Sequence, residues 1–450
     1  MSHLNGKLDT QSAFKSFFQY FIPTLLGMML MSVNIVIDGI FVGNGVGPVA
    51  LASVNVAVPV FSIIVSISLL IGVGGGTLYS MAMGEKDPER AQGIFTISII
   101  FITAITVVIS ILSFIFMEPL ARIFGANKET LVYTMDYMRI LFIFSLIIAW
   151  ENCMSIFVRN DGDPQLAMIG LIVSALLNIV LDYWMIFMLD MEVTGAALAT
   201  ALATAAGLAV YLLHFFKKGS GLKFIKHKWR WREVKQISMT GLPSFLSEAG
   251  TGIFVMGYNI AIACYAGTEG LAAFSVINYL HTFMFLAFIG IGQSIQPMIS
   301  YYYGAKSQEK IMHTVKVAEW TGLALGGIFL AIGYLFSDFL VSIFGITSPQ
   351  LIAMTTKGIK LFFLGYLFMG TNFIYMTYYQ STGYVAPSVG ITVFRGFILL
   401  IASLLLLPLW LGTTGVWLSL PVAEGLVALT LIVVARYDVM NRKRGSRGYR

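Results

Sequence analysis

Apolar residues in this chain fall in about twelve blocks of roughly 20, separated by short polar breaks. A block of that length, wound as a helix, crosses a hydrocarbon core about 30 Å thick. Lipid offers no hydrogen bonds, so each span has to satisfy its own backbone, which a helix does and an isolated strand does not. A membrane β-barrel would show short segments alternating apolar and polar residues, not solid apolar runs. Charged residues make up only 11% of the chain, against the roughly 25% of a soluble domain, too few to cover a water-facing surface. The class that follows is all-α and integral to the membrane.

The spans lie near 17–42, 49–83, 93–117, 136–158, 165–189, 193–216, 237–265, 270–303, 313–336, 356–382, 387–410 and 413–436. The first is too long for the apolar core of a signal peptide and lacks a small-residue cleavage site, so it reads as a retained span. Cys153 and Cys264 both fall inside spans, which suits packing better than a disulfide framework. Orientation follows from the basic residues. With the N-terminus in the cytoplasm, that side receives Lys7, Lys15, Lys86, Arg90, Arg159, Lys306, Lys310, eight basic residues after the sixth span and six from Arg436 onward. The outer loops hold Arg122, Lys128 and Lys357, a bias of about 21 to 3 that places both termini inside. Beside membrane spans, the net charge of +6 points to anionic headgroups and gives no reason to invoke nucleic acid.

Two halves align at a constant offset of 220 residues, as from Pro23 to Pro243. Leu51-Ala52 matches Leu271-Ala272, Gly84 matches Gly304, and Ile123-Phe124-Gly125 matches Ile343-Phe344-Gly345. Six spans per repeat return the chain to the same side, so the repeats are parallel and related by a pseudo-two-fold axis along the membrane normal. The expected organisation is an N-terminal six-helix bundle over 1–216, a basic cytoplasmic linker over 217–236, a C-terminal bundle over 237–436 and a basic tail over 437–450. Two bundles of this kind suggest a transporter with its substrate between them. No G-x-x-x-x-G-K-[ST] phosphate loop is present, which leaves an ion gradient as the energy source. The run Gly72-Val73-Gly74-Gly75-Gly76 reads as close helix packing by small residues.

Ionisable residues at membrane depth are costly and mark function by default. Asp38 lies near the outer end of the first span and Asp182 near that of the fifth, with Asn178 one turn deeper on the same face. Thr200 on the sixth span and Tyr137 on the fourth fall in the same outer layer. Acids surrounded by neutral oxygens suit a proton or a hard cation. Glu151 and Glu248 sit deep enough to face a substrate cavity, Arg395 and Glu424 are placed to pair, and His281 stands without a second ligand at metal spacing.

The two six-span repeats, Gly84-Glu85-Lys86, Arg159-Asn160-Asp161-Gly162-Asp163-Pro164, Asn178-Ile179-Val180-Leu181-Asp182 and Gly195-Ala196-Ala197-Leu198-Ala199-Thr200 form one set of motifs. Together they resemble the multidrug and toxic compound extrusion (MATE) family, bacterial and archaeal multidrug branch. The resemblance covers essentially the whole chain. It implies a first-half cation site at Asp38, Tyr137, Asn178, Asp182 and Thr200. It also implies export of small organic cations and drugs in exchange for H+ or Na+, with no further cofactor, by a monomer in the inner (plasma) membrane. The tenth span (Leu361 to Thr382) carries no Asp or Glu, so the second half lacks the acid that another branch keeps there. The alternative is a flippase of lipid-linked or polyisoprenyl substrates, which would line its cavity with several basic residues, whereas these spans offer few. An intramembrane enzyme would need a catalytic motif such as H-E-x-x-H or G-x-S-x-G, and neither occurs.

Overall fold

The computed structural model describes residues 8–346 and 348–445, with side chains omitted at 48 and 434–445. Lys7, Arg447 and Arg450, counted above as cytoplasmic charges, lie outside the described residues, as does the end of the tail. Every regular element among the described residues is helical. The first six spans are Ala13–Gly45, Pro48–Gly84, Pro88–Ile115, Leu131–Asn160, Pro164–Tyr183 with a π-helical turn Trp184–Met188, and Glu192–Leu212.

The expected seventh and eighth spans form one element, Trp231–Gly304, of 74 residues. At 1.5 Å per residue that is about 110 Å, more than twice a bilayer, so it crosses twice. The turning point is Gly267, whose φ of 59° and ψ of −151° suit a residue without a Cβ. The remaining spans are Gln308–Leu335, Pro349–Phe362 continued by Tyr366–Ser381, Val385–Val393 continued through a π-helical turn Phe394–Ile398 into Leu399–Leu411, and Thr413–Gly445. Among the described residues the count is twelve crossings, as the apolar blocks predict.

The repeat is written into the element boundaries. Pro88–Ile115 and Gln308–Leu335 match at the 220-residue offset, and so do the short helices Met117–Ile123 and Ser337–Ile343. Both second spans of the repeats end alike. Lys86 and Lys306 adopt left-handed φ values of 62° and 55°, while Asp87 N–H bonds Ala82 O and Ser307 N–H bonds Tyr302 O. That is a Schellman closure, which satisfies the last carbonyls of each helix. A non-glycine residue there costs on the order of 1 kcal/mol, and both repeats bear it.

Two compact units are present. The first takes Met1–Ala249, Gln293–Thr314 and Gln380–Val385; the second takes Gly250–Gly292, Val315–Tyr379 and Ala386–Arg450. Within the first, the glycine run of the second span meets the fourth span closely. A Cβ at Gly72 would lie 2.8 Å from Ile156 Cδ1 and 3.3 Å from Cys153 Cα, and one at Gly76 would lie 2.8 Å from Asn160 Nδ2. Only a missing side chain allows that approach, as the sequence reading holds.

The segment Arg159–Pro164 closes one end of this unit, between the fourth and fifth spans. Asp161, fully buried, accepts from Tyr79 Oη, His214 Nε2 and the Gly221 amide, each at 2.7 Å. Asp163 caps the fifth span at Leu166 N–H, 3.2 Å, and accepts from Lys217 Nζ at 2.6 Å and from His214 Nδ1 at 3.3 Å. Burial alone would raise the Asp163 carboxyl; the donors His214, Lys217 and Leu166 outweigh it and hold the group well below the ordinary carboxylate range. With an acid at each ring nitrogen, His214 donates from both and is an imidazolium. The chain over 217–230 is therefore pinned at its start, and the helix begins at Trp231, inside the expected linker, with Glu233 at its positive first turn.

Asp161→Ala leaves a buried imidazolium and the Tyr79 hydroxyl without their acceptor. The expected cost is about 3–5 kcal/mol, read as a lower melting temperature in detergent, together with faster proteolysis at Lys217 and Lys218.

Candidate functional site

Four spans of the first unit bring the expected residues together. The first span presents Asn34 and Asp38 one turn apart, and the fifth presents Asn178 and Asp182 one turn apart. The two helices are bonded across this face: Asn34 Nδ2 donates to Asn178 Oδ1 at 2.6 Å and to Ala175 O at 3.4 Å. Asn178 Nδ2 reaches Thr200 Oγ1 at 3.4 Å, and the Thr200 hydroxyl donates to Ala196 O at 3.1 Å. Tyr137 of the fourth span hydrogen-bonds Thr200 and lies within the electrostatic reach of both Asp38 and Asp182. All five residues assigned to a cation site thus share one cluster.

Local backbone fixes the acid of the fifth span. Directly after Asp182 the helix widens into the π-helical turn Trp184–Met188. Phe187 of that turn packs edge-on against Phe41 of the first span, centroids 5.7 Å apart, and Tyr183 lies 6.2 Å from the same ring. The ring contacts fasten the C-terminal ends of the two acid-bearing helices. Such turns are rare and concentrate at functional sites.

The electrostatics of the pair are unusual. Asp182 is fully buried, and among the described residues no donor reaches either of its oxygens or Asp38 Oδ1. The two acids face each other closely enough to hydrogen-bond, which they do only when one carries a proton. Ionised together, they repel unless a cation sits between them. The nearby neutral oxygens of Asn178, Thr200 and Tyr137 are the donor set of a hard cation or the hydrogen-bond partners of a protonated acid.

The two acids expected to face a substrate cavity are placed differently. Glu151 is buried within the first unit, hydrogen-bonds Tyr211 and lies near Gly207. Glu248 stands half-buried on the seventh span. In the second unit Arg395 and Glu424 pair, as expected, at 2.7 Å. His281, read as solitary, hydrogen-bonds Tyr366 Oη through Nδ1 at 3.1 Å.

Asn34 was missed by sequence reasoning, although a signal for it exists. Asn34-Ile35-Val36-Ile37-Asp38 and Asn178-Ile179-Val180-Leu181-Asp182 are nearly one pentapeptide, and the structure sets the two against each other. Asn34→Ala and Asn178→Ala are expected to couple by about 0.5–1.5 kcal/mol in a double-mutant cycle of thermal unfolding. Simple additivity of the two would show that the 2.6 Å bond does not form.

The MatE family model matches residues 23–184 and 243–405, one match in each repeat. The chain is 27% identical over 436 residues to the multidrug export protein MepA of Staphylococcus haemolyticus, covering 96% of this chain and 95% of that protein. It is 25% identical to MepA of Staphylococcus saprophyticus subsp. saprophyticus over 431 residues, covering 95% and 94%. Among solved structures, an outward-facing multidrug resistance MATE family transporter of the MOP superfamily superposes with a TM-score of 0.91 at 24% identity, covering 97% of this chain and 98% of that one. A MOP superfamily transporter from Pyrococcus furiosus superposes with a TM-score of 0.90 at 24% identity and the same coverage. These two structures bear on the fold, and they share its twelve-helix, two-bundle architecture. With both repeats matched over most of their length, the chain belongs to the MatE family of multidrug and toxic compound extrusion proteins, which are membrane transporters and not enzymes.

Proposed function

We propose that this protein exports small amphipathic organic compounds, often cationic, by exchanging them for H+ or Na+ at the Asp38–Asp182 pair. The observation that carries the reading is the buried Asp182 carboxylate, with no donor at either oxygen and a second acid facing it. A structural network would have satisfied those oxygens, because an unpaired buried acceptor costs about 1–3 kcal/mol and a charge more. A coupling ion satisfies them only part of the time, as antiport requires. The multidrug names of the staphylococcal relatives support the substrate class.

In this reading the cation arrives from outside and relieves the repulsion between Asp38 and Asp182. The first and fifth spans then draw together about the Asn34–Asn178 bond, and the bundle favours a different packing. Substrate and cation need only bias one two-state equilibrium in opposite directions for their fluxes to be coupled. Glu248, half-buried on the seventh span, and Glu151 attract the cationic substrate. The protein works as a monomer in the plasma membrane with both termini in the cytoplasm. Its basic 217–230 segment lies against anionic lipid headgroups, and nucleic acid has no part in the cycle.

Efflux of a fluorescent cationic dye from proteoliposomes, under imposed pH or Na+ gradients, tests this. One gradient should drive efflux, and Asp38→Asn and Asp182→Asn should each reduce the driven rate at least tenfold. Gradient-driven efflux that survives the double replacement would falsify the coupling role.

A further inference from the structure

The second repeat handles its buried acid in the opposite way. Its positions equivalent to Asp38 and Asp182 are Tyr258 and Ala402, and the Tyr258 hydroxyl accepts the Leu420 amide at 2.9 Å. The buried acid of this unit is instead Glu424, on the last span. Arg395 Nε donates to its Oε1 at 2.7 Å and Asn372 Nδ2 to its Oε2 at 2.6 Å. Neither oxygen lacks a donor, in contrast to those of Asp182.

Arg395 occupies a telling position. The eleventh span, which carries it, is the repeat counterpart of the fifth, which carries Asp182. Each contains a π-helical turn, Trp184–Met188 after the acid in one and Phe394–Ile398 around the base in the other. The same span thus contributes a negative group in one repeat and a positive group in the other. The guanidinium is also seated, with its carbon 4.0 Å from the Phe373 ring centroid and 5.9 Å from that of Phe285. Among the described residues no donor reaches Asn372 Oδ1, which is fully buried beside the pair. Together with the Glu424 carboxylate, which Asn372 Nδ2 contacts, it supplies oxygens suited to a hard cation. The charged and titratable groups of this region are Glu424, Arg395, Tyr258 and His281, the last facing Arg395.

We propose that Arg395 is a tethered counter-cation. It holds at Glu424 the place that a mobile H+ or Na+ takes at Asp38–Asp182, so Glu424 is a latent cation site, silent while Arg395 is present. The comparison with Asp38–Asp182 rests on the coupling role proposed above; the latent site at Glu424 stands on the second unit alone.

Cation uptake by the purified, full-length protein tests it, with 22Na+ binding at pH 8 and proton uptake followed by an indicator dye. Asp38→Asn with Asp182→Asn should bind no coupling cation. Adding Arg395→Met should restore one equivalent, which Glu424→Gln should abolish again, while Arg395→Lys in place of Arg395→Met should restore none. A monodisperse Arg395→Met protein that gains no equivalent overturns the inference. Should Arg395→Met not fold, the comparison within the Asp38→Asn, Asp182→Asn background decides. Uptake there that Glu424→Gln removes while Arg395 is intact overturns the inference, and equal absence of uptake with and without Glu424→Gln supports it. Failure of the coupling reading looks different: the Asp38 and Asp182 replacements would leave wild-type uptake intact, and Arg395→Met would still add one equivalent.

Discussion

Two carboxylates confront each other, and among the described residues nothing donates to either oxygen of Asp182 or to Asp38 Oδ1. An acid at membrane depth costs several kcal/mol by insertion scales, and a second one facing it adds repulsion. The structure contains the pair without neutralising it. Neutral oxygens from Asn178 and from two further spans surround the acids, a hydrogen bond between side-chain amides joins the two acid-bearing helices one turn below, and aromatic rings fasten them above. The frame is firm and its centre is left unsatisfied, a combination that suits a visiting cation better than permanent architecture.

The opposite end of the same unit follows the contrary rule. Asp161 accepts three hydrogen bonds and Asp163 is held by His214 and Lys217. These acids tie the connection between the fourth and fifth spans to the start of the linker, so this end is a set of closed contacts. Three acids, Asp161, Asp163 and Asp182, thus lie within one short stretch of sequence, and environment alone separates anchors from a candidate coupling site.

The twelve spans, the parallel repeat and the cluster of Asp38, Tyr137, Asn178, Asp182 and Thr200 were legible in the sequence, because apolar length, a constant offset and charges at membrane depth are each strong local signals. What escaped depended on partners far away in the chain. Asn34 draws meaning from Asn178, 144 residues on, and a lone Asn in a span says little until the two pentapeptides are compared. The π-helical turns leave no periodic trace, since a single widened turn does not disturb an apolar run. Gly267 falls in the break expected between the seventh and eighth spans, where sequence marks that a chain turns but not the one residue that absorbs the turn. His214 passed unnoticed for a further reason: its role is set by two acids about 50 residues upstream.

The contrast between the repeats has an energetic logic. Taking a two-state protein from 1:99 to 99:1 requires about 5.5 kcal/mol of differential binding. Two like charges about 4 Å apart at an effective dielectric of 20 repel by about 4 kcal/mol. A single cation arriving between two acids is therefore of the right size to move such an equilibrium, and an acid already paired with a fixed arginine offers no comparable lever. The fifth and eleventh spans correspond in the repeat, but their π-helical turns lie ten residues out of register at the 220-residue offset, so each turn belongs to its own repeat. In the coupling role proposed above, the repeat with the negative charge responds to an ion while the other keeps its internal charge constant.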